Sequence, residues 1–401
     1  MSRKLQHLTA VLLACAAALP GLAAGGAEPG AVKFVMHRVG TFRSEACGVG
    51  DFNNDGKLDI VAGPFLYLAP DFKPLKIRTL KGAVDEQGKG YHHDFMNAPL
   101  DVDGDGKLDV VSVDWFSTSS TWFRNTLGQE GEWPMALVEK NGNFESGDLV
   151  DILGDGKARQ ILPLVRRTVW YETGTGPDGR QTLIPHVVSS KQMEFGVGVG
   201  DLNGDKRLDF IRPNAWFEAP ADPRAGPWKE HPLALGGKNG KMAHTAQILV
   251  FDVNGDGLND IICSDAHGYG IFWYEQTKEG GEIRFKQHTI DDSWTQPHSL
   301  ALGDLDGDGV PELVTGKRFM AHNGSDPEEN APLGVYYYSL KRGPDRAVAW
   351  TKHVITHNEG IGSGLNICLA DLDGDGDLDI VVTGKWGGPV WFENQLKSPK
   401  K

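Results

Sequence analysis

Asp371-Leu372-Asp373-Gly374-Asp375-Gly376-Asp377-Leu378-Asp379 lies between the apolar run Ile367-Cys368-Leu369-Ala370 and the β-branched run Ile380-Val381-Val382. The pattern D-x-[DN]-x-D-G-x-x-D returns at Asp51–Asp59, Asp101–Asp109, Asp201–Asp209, Asp252–Asp260 and Asp304–Glu312, with a worn copy at Asp151–Arg159. The starts fall at 51, 101, 151, 201, 252, 304 and 371, so the steps are 50, 50, 50, 51, 52 and 67. A period this regular signals a repeat architecture.

Each period has room for four short strands. In the fifth unit these are an apolar run before the acidic loop, the β-run from Asp260, Gly270–Glu275 and Arg284–Ile290. Four strands per unit, seven times, predicts an all-β, seven-bladed β-propeller. The fourth strands share a look, each ending in His: His186, His231, His288 and His353. The segment Val32–Val39 has the same look, yet it precedes the first loop, while the chain stops soon after the third-strand motif Val390–Glu393. The N-terminal strand is therefore expected to close the last blade, which leaves fewer exposed edges. The propeller is assigned to residues 32–396 and a tail to 397–401.

The loops carry oxygen donors at positions 1, 3, 5 and 9, with Gly at position 6 for the turn. That set suits a hard cation such as calcium. Position 12 lacks the Glu of an EF-hand and the flanks read as strands, so these are strand–loop–strand sites. The expected ligands are Asp51, Asn53, Asp55 and Asp59; Asp101, Asp103, Asp105 and Asp109; Asp201, Asn203, Asp205 and Asp209. They continue with Asp252, Asn254, Asp256 and Asp260; Asp304, Asp306, Asp308 and Glu312; Asp371, Asp373, Asp375 and Asp379. Lys206 replaces the usual Gly in the fourth loop, and Leu153 and Arg159 remove two donors from the third, where no ion is expected. About six structural Ca2+ sites follow.

The runs Gly48-Val49-Gly50-Asp51, Ile60-Val61-Ala62-Gly63-Pro64 and Phe195–Asp201 resemble FG-GAP/VCBS repeats. The resemblance covers nearly the whole mature chain. It implies the propeller and the calcium, and says little about function.

Composition sets the class of partner. The chain has 401 residues, a formal net charge of −14 and 40% apolar residues, enough to build a core. Twenty-one of its 54 acids occupy the ligand positions, so the acidity is mostly a set of ion cages on one face. A nucleic-acid partner, which needs a basic footprint, is disfavoured. Met1–Gly30 reads as a secretory signal: Arg3 and Lys4, a short apolar stretch to Leu19, then small residues, with cleavage by about residue 27. Lipid attachment at Cys15 is the rival, and no later segment is apolar enough to span a bilayer. The expectation is a secreted or periplasmic protein. Of the remaining cysteines, Cys47 and Cys368 precede their loops by four and three residues, a parity that points them to opposite faces and argues against a bridge.

The histidines locate a second face. His37 joins His186, His231, His288 and His353 on outer strands, and repetition makes these structural. His92, His93, His244, His267, His298, His322 and His357 fall on or near the face opposite the acidic loops. His92, His93, His244 and His298 precede innermost strands by a few residues, which puts them around the channel mouth. Trp115, Arg166, Trp216, Lys385 and Trp386 share that face, as do Lys317 and Arg318. The insertion Arg318–Leu333 lengthens the sixth unit there and reads as a lid or pocket wall. Neutral imidazoles ligate zinc-like metals, and cations beside them suit an oxyanion. The expected catalytic set is His92, His93, His244, His298, Lys317 and Arg318. The expected substrate contacts are Trp115, Arg166, Trp216, His267, His322, Lys385 and Trp386. Zn2+ or another divalent ion is expected at the His cluster.

Tyr91-His92-His93, Ala243-His244, Pro297-His298 and Thr315–His322 resemble the propeller of the aldos-2-ulose dehydratases, a family of sugar lyases. The resemblance implies β-elimination on a keto-sugar, assisted by a divalent metal. Two readings stand: an exported carbohydrate-active lyase or dehydratase, or a non-catalytic calcium-stabilised propeller that binds a glycan or a protein. The expected ligand is a carbohydrate or small molecule, and the oligomeric state is open.

Overall fold

In the computed structural model, residues 31–140, 144–163, 167–237 and 244–397 are described. The expected signal segment, Cys15, Arg166 and the tail beyond 397 lie outside them. The described residues form seven four-stranded antiparallel sheets and one small hairpin. The only helical pieces among them are two 3-10 turns, Ala321–Asn323 and Pro344–Arg346. No helix among the described residues is long and apolar enough to cross a membrane.

Blade 1 runs Cys47–Gly50, Asp59–Ala62, Phe65–Leu68 and Lys73–Lys76; blades 2 to 6 follow in chain order. Blade 7 takes Ile367–Ala370, Asp379–Val382 and Gly388–Asn394 from the end of the chain and Phe34–Phe42 from its beginning. Phe34 pairs with Asn394 and Arg38 with Val390, so the ring closes as the repeat order predicts.

Second strands such as Asp59–Ala62 are buried at every residue because both faces are covered by neighbouring blades. Seven apolar clusters hold the described ring, one at each blade interface. Cys47, Ile60, Ala62 and Tyr67 of blade 1, for example, pack on Leu372, Val381 and Trp391 of blade 7. First strands converge on the axis. There a Cβ on Gly48 would sit 1.9 Å from the Asn97 carbonyl oxygen of the next blade, so the glycine is a condition of packing.

The outer histidines explain their own repetition. His37, His186, His231 and His288 stack on Trp391, Trp170, Trp216 and Trp273, with ring centroids 3.9–4.5 Å apart. Their Nε2 atoms lie 2.5–2.9 Å from Glu393, Glu172, Glu218 and Glu275. His353 keeps the stack, on Tyr337, and bonds Ser339 instead.

The acidic loops follow one plan. Position 1 accepts backbone N–H groups, as Asp51 does from Asp55 and Gly56. Position 9 is buried and accepts two more: Asp379 takes the amides of Leu372 and Asn394 at 2.9 and 2.8 Å. Lys206 adopts φ 69°, the left-handed conformation supplied elsewhere by Gly. The third loop departs from the expected pattern. Its second strand starts one residue late, at Gln160, whose Oε1 takes the Ile152 amide at 2.9 Å. The inward-facing residue is therefore Gln160, and Arg159 belongs to a loop one residue longer.

The cysteine parity also needs correction. The Cys47 and Cys368 sulfurs are 3.8 Å apart. Neighbouring blades stack face against face, so opposite parity on adjacent first strands turns the two side chains toward each other.

Candidate active site at the channel mouth

The connections opposite the acidic loops enclose a cavity of about 500 Å³. Its wall is aromatic: Tyr91, Phe95, Trp115, Phe116 and Phe195. Its polar side is Glu145, His244, His267, Arg318, His322 and Asn323. The insertion after Lys317 supplies three of these, so it forms a wall as the spacing predicts.

Glu145, His267 and His298 each offer a ligand atom, and these lie within 4.8 Å of one another. His298 is buried on the first strand of blade 6, with Nε2 3.2 Å from Glu145 Oε1. His267 sits on the loop after Asp260–Ser264, and its Nδ1 is 2.7 Å from Asp326 Oδ2. The other Asp326 oxygen is 2.8 Å from His322 Nδ1. Asp326 thus holds the His267 ring and leaves Nε2 for an ion, as outer carboxylates do for ligating histidines.

One guanidinium faces two carboxylates inside the cluster. Arg318 is buried, donating through Nε to Glu45 at 2.8 Å, with Nη1 3.7 Å from Glu145. Burial would raise Glu145, but the His298 hydrogen bond and the Arg318 charge outweigh it and bring its pKa to about 2. Burial and Arg318 push His298 down to about 4, against the pull of Glu145, so its ring is neutral near pH 7. Burial lowers His267 as well, and Asp326 pulls it back. A carboxylate and two neutral imidazoles are the donor set of a three-ligand site with an open position. The buried His298 Nδ1 has no hydrogen-bond partner among the described residues.

The other expected residues divide. Trp115, His244, His267, Arg318 and His322 line the cavity. His298 reaches it through Glu145. Lys385 lies behind the wall, its Nζ 3.2 Å from the centre of the Tyr91 ring and 2.9 Å from the Met320 carbonyl. His92 and His93 are not brought into the cluster. They end an added hairpin, Gly82–Val84 with Gly90–His92, where His92 packs on Phe42 and His93 lies 3.0 Å from Asp114. Lys317 is buried and donates to Thr295 Oγ1 at 2.7 Å, away from the cavity lining. Trp216 is spent on the His231 stack, and Trp386 packs in the blade 6–7 core. Arg318 is no free anion binder, since Glu45 holds it.

Glu45, Glu145, Asp326 and the wall residues Phe95, Phe116 and Phe195 were not singled out as site residues by sequence. The position six residues before each loop Asp holds Glu45, Phe95, Glu145, Phe195, Ala246, His298 and Leu365. Five of these are site residues or hold one, and reading that single repeat position across all residue types would have found them.

A ring of seven blades, each with an acidic loop between its first two strands, defines a repeat β-propeller. A model of the FG-GAP-like repeat matches residues 252–315. Integrin alpha-PS2 of Drosophila melanogaster is 33% identical over 95 residues, 23% of this chain and 7% of that protein. T-cell immunomodulatory protein homolog of Plasmodium falciparum is 27% identical over 143 residues, 33% of this chain and 18% of that protein. The chain spans less than a fifth of the length of these curated relatives. The solved structure of exotype rhamnogalacturonan lyase YesX aligns with TM-score 0.47 and 14% identity, over 93% of this chain and 74% of that one. The chain is a seven-bladed β-propeller that matches the FG-GAP-like repeat over residues 252–315.

Proposed function

We propose that this is an exported, calcium-stabilised propeller whose channel-mouth cavity carries out a lyase or dehydratase reaction on a keto-sugar or glycoside, assisted by a zinc-like ion. The observation that carries this reading is the meeting of Glu145, His267 and His298 beside an aromatic-walled cavity. The aromatic rings offer a face for a sugar. A bound ion would polarise a carbonyl and stabilise the negative charge that develops on it. His244, exposed on the cavity rim, is placed to take the proton from the carbon beside that carbonyl. The C–O bond at the next carbon breaks as the double bond forms, and the proton passes to the departing oxygen. Tyr91, whose phenol burial raises to about 12, stays protonated at neutral pH and can donate a hydrogen bond. Calcium at the acidic loops is supported by the gathering of Asp101, Asp103 and Asp109, of Asp304, Asp306 and Asp308, and of Asp371, Asp373 and Asp379. Export is supported by the apolar N-terminal stretch alone.

Metal analysis joined to an elimination assay on keto-sugars tests the proposal. Glu145→Ala with His267→Ala should lose a transition metal and turnover while keeping calcium; His244→Ala should keep both metals and lose turnover. Purified protein with calcium alone and no turnover would sink it. One observation favours the second reading, a non-catalytic glycan- or protein-binding propeller: Arg318, Glu45, Asp326 and two histidines already satisfy one another. Glycan binding that survives His244→Ala and Glu145→Ala would select it.

A further inference from the structure

The seam between blades 1 and 7 is where the two ends of the ring meet. Asn366 fixes the first strands across it: its Oδ1 accepts the Cys47 amide at 3.0 Å, and its Nδ2 donates to the Cys47 carbonyl at 2.8 Å. The Leu365 amide adds a bond to the Glu45 carbonyl at 2.7 Å. This clamp holds Cys47 and Cys368, 321 residues apart in sequence, with sulfurs 3.8 Å from each other. Both line a channel-side cavity of about 240 Å³, together with Asn97, Asp148 and Asn366. Cys368 is half-buried and Cys47 buried. The third cysteine of the described chain, Cys263, is buried in blade 5.

We propose that Cys47 and Cys368 are a disulfide-forming pair that staples the seam, with a small-molecule disulfide such as oxidised glutathione as the oxidant. The inference does not depend on the catalytic reading. Cys368 is the entry point: it is the less buried of the two and faces the cavity, with the Asn366 amide donating to its sulfur at 3.4 Å. The neighbouring Cys368 sulfur and burial push the Cys47 thiol well above its ordinary value, so Cys47 reacts second. The Cys368 thiolate attacks one sulfur of the oxidant, forming a mixed disulfide and expelling one glutathione thiolate. Cys47 then attacks the Cys368 sulfur, the second glutathione thiolate departs, and the Cys47 proton leaves with it. Two protein thiols are oxidised and one glutathione disulfide is reduced to two thiols. The protein sulfurs close to about 2.05 Å, a small movement for side chains already in contact. A link over so long a loop restricts the unfolded chain strongly.

The test uses the full, folded chain treated with oxidised glutathione. Before treatment, native alkylation should label Cys368 ahead of Cys47 and Cys263. After treatment the chain should be lighter by two hydrogen atoms, a Cys47–Cys368 linked peptide should appear, and Tm should rise by several degrees, all reversed by dithiothreitol. Cys263→Ser should change none of this, while Cys47→Ser should stop at a glutathione adduct on Cys368. The proposal is overturned if Cys47 and Cys368 still alkylate on unfolding after treatment. It is equally overturned if the wild-type chain retains the glutathione adduct without resolving it.

Discussion

The two faces of the ring use the same repeat in opposite ways. On one, a single position, the ninth of six of the seven acidic loops, is filled alike by Asp59, Asp109, Asp209, Asp260, Glu312 and Asp379, and each accepts a buried backbone amide. On the other, the position six residues before the loop is filled by two Glu, two Phe, an Ala, a His and a Leu. Uniform positions maintain the blade, and a shared geometry with varied residues builds a site. The faces should therefore respond differently to the same kind of perturbation.

If the acidic loops hold calcium as proposed, its removal should give the largest contrast. An ion at a hundred times its Kd stabilises by about 2.7 kcal/mol per site. Several such sites rival the whole stability of a domain, about 5–15 kcal/mol. A calcium-selective chelator should lower Tm by tens of degrees, read by calorimetry, and a zinc-selective chelator should leave Tm nearly unchanged while stopping turnover. An unchanged melting curve in excess EDTA breaks the loop side of the comparison.

Asp379→Ala leaves the buried Leu372 and Asn394 amides unpaired and should cost about 4 kcal/mol in urea unfolding with chelator present. Gln160→Ala frees one amide, at Ile152, and should cost about half as much. Equal losses would contradict the shifted third loop.

On the site face, Arg318→Met strands Glu45 and Glu145 and should cost about 3 kcal/mol, much of it recovered in Arg318→Met with Glu45→Gln. A double-mutant cycle with no recovery would mean that Arg318 stabilises by packing alone.

Acid gives a smaller effect in a third place. Burial would raise Asp291, but hydrogen bonds from Ser293 and Tyr338 and the Lys352 ammonium outweigh it and bring its pKa to about 2. Its contribution is present above its ordinary value near 3.8 and is lost as pH falls through about 2. Wild type should lose about 2 kcal/mol between pH 4 and 2 that Asp291→Asn does not lose in that window.

The smallest effect belongs to one outer stack. His231→Ala removes a ring 3.9 Å from Trp216 and should cost about 1 kcal/mol without touching turnover. Any loss of turnover would tie the outer strands to the site.

The fold was legible because the blades repeat the same local chemistry: an acidic turn, a largely buried second strand and, in five of the seven, a His–aromatic stack. Ring closure was legible for the same reason, since Val32–Val39 looks like a fourth strand with no blade of its own. The site was half legible. His244, His267, His298, His322, Arg318 and Trp115 converge because the loops between second and third strands open on the same face as the inter-blade connections. His92 and His93 do not, because the Gly82–His92 hairpin is an addition that the repeat does not position. Trp216 escaped because one motif serves as surface aromatic or core stack according to which strand carries it. Glu145 and Asp326 escaped because, among 54 acids, a carboxylate on the site face does not stand out as a histidine does.

Ring closure also fixes an order of events. Phe34–Phe42 finds its partner only when Gly388–Asn394 exists, so the first strand of the ring waits for nearly the whole chain. Contacts that distant in sequence form slowly. Until then the strand is an unpaired edge carrying Val35 and Met36, which stay 43% exposed even in the finished ring. A nascent copy is thus open to capture by another copy's last blade, and exchange of this strand between two chains is the misassembly that this topology invites.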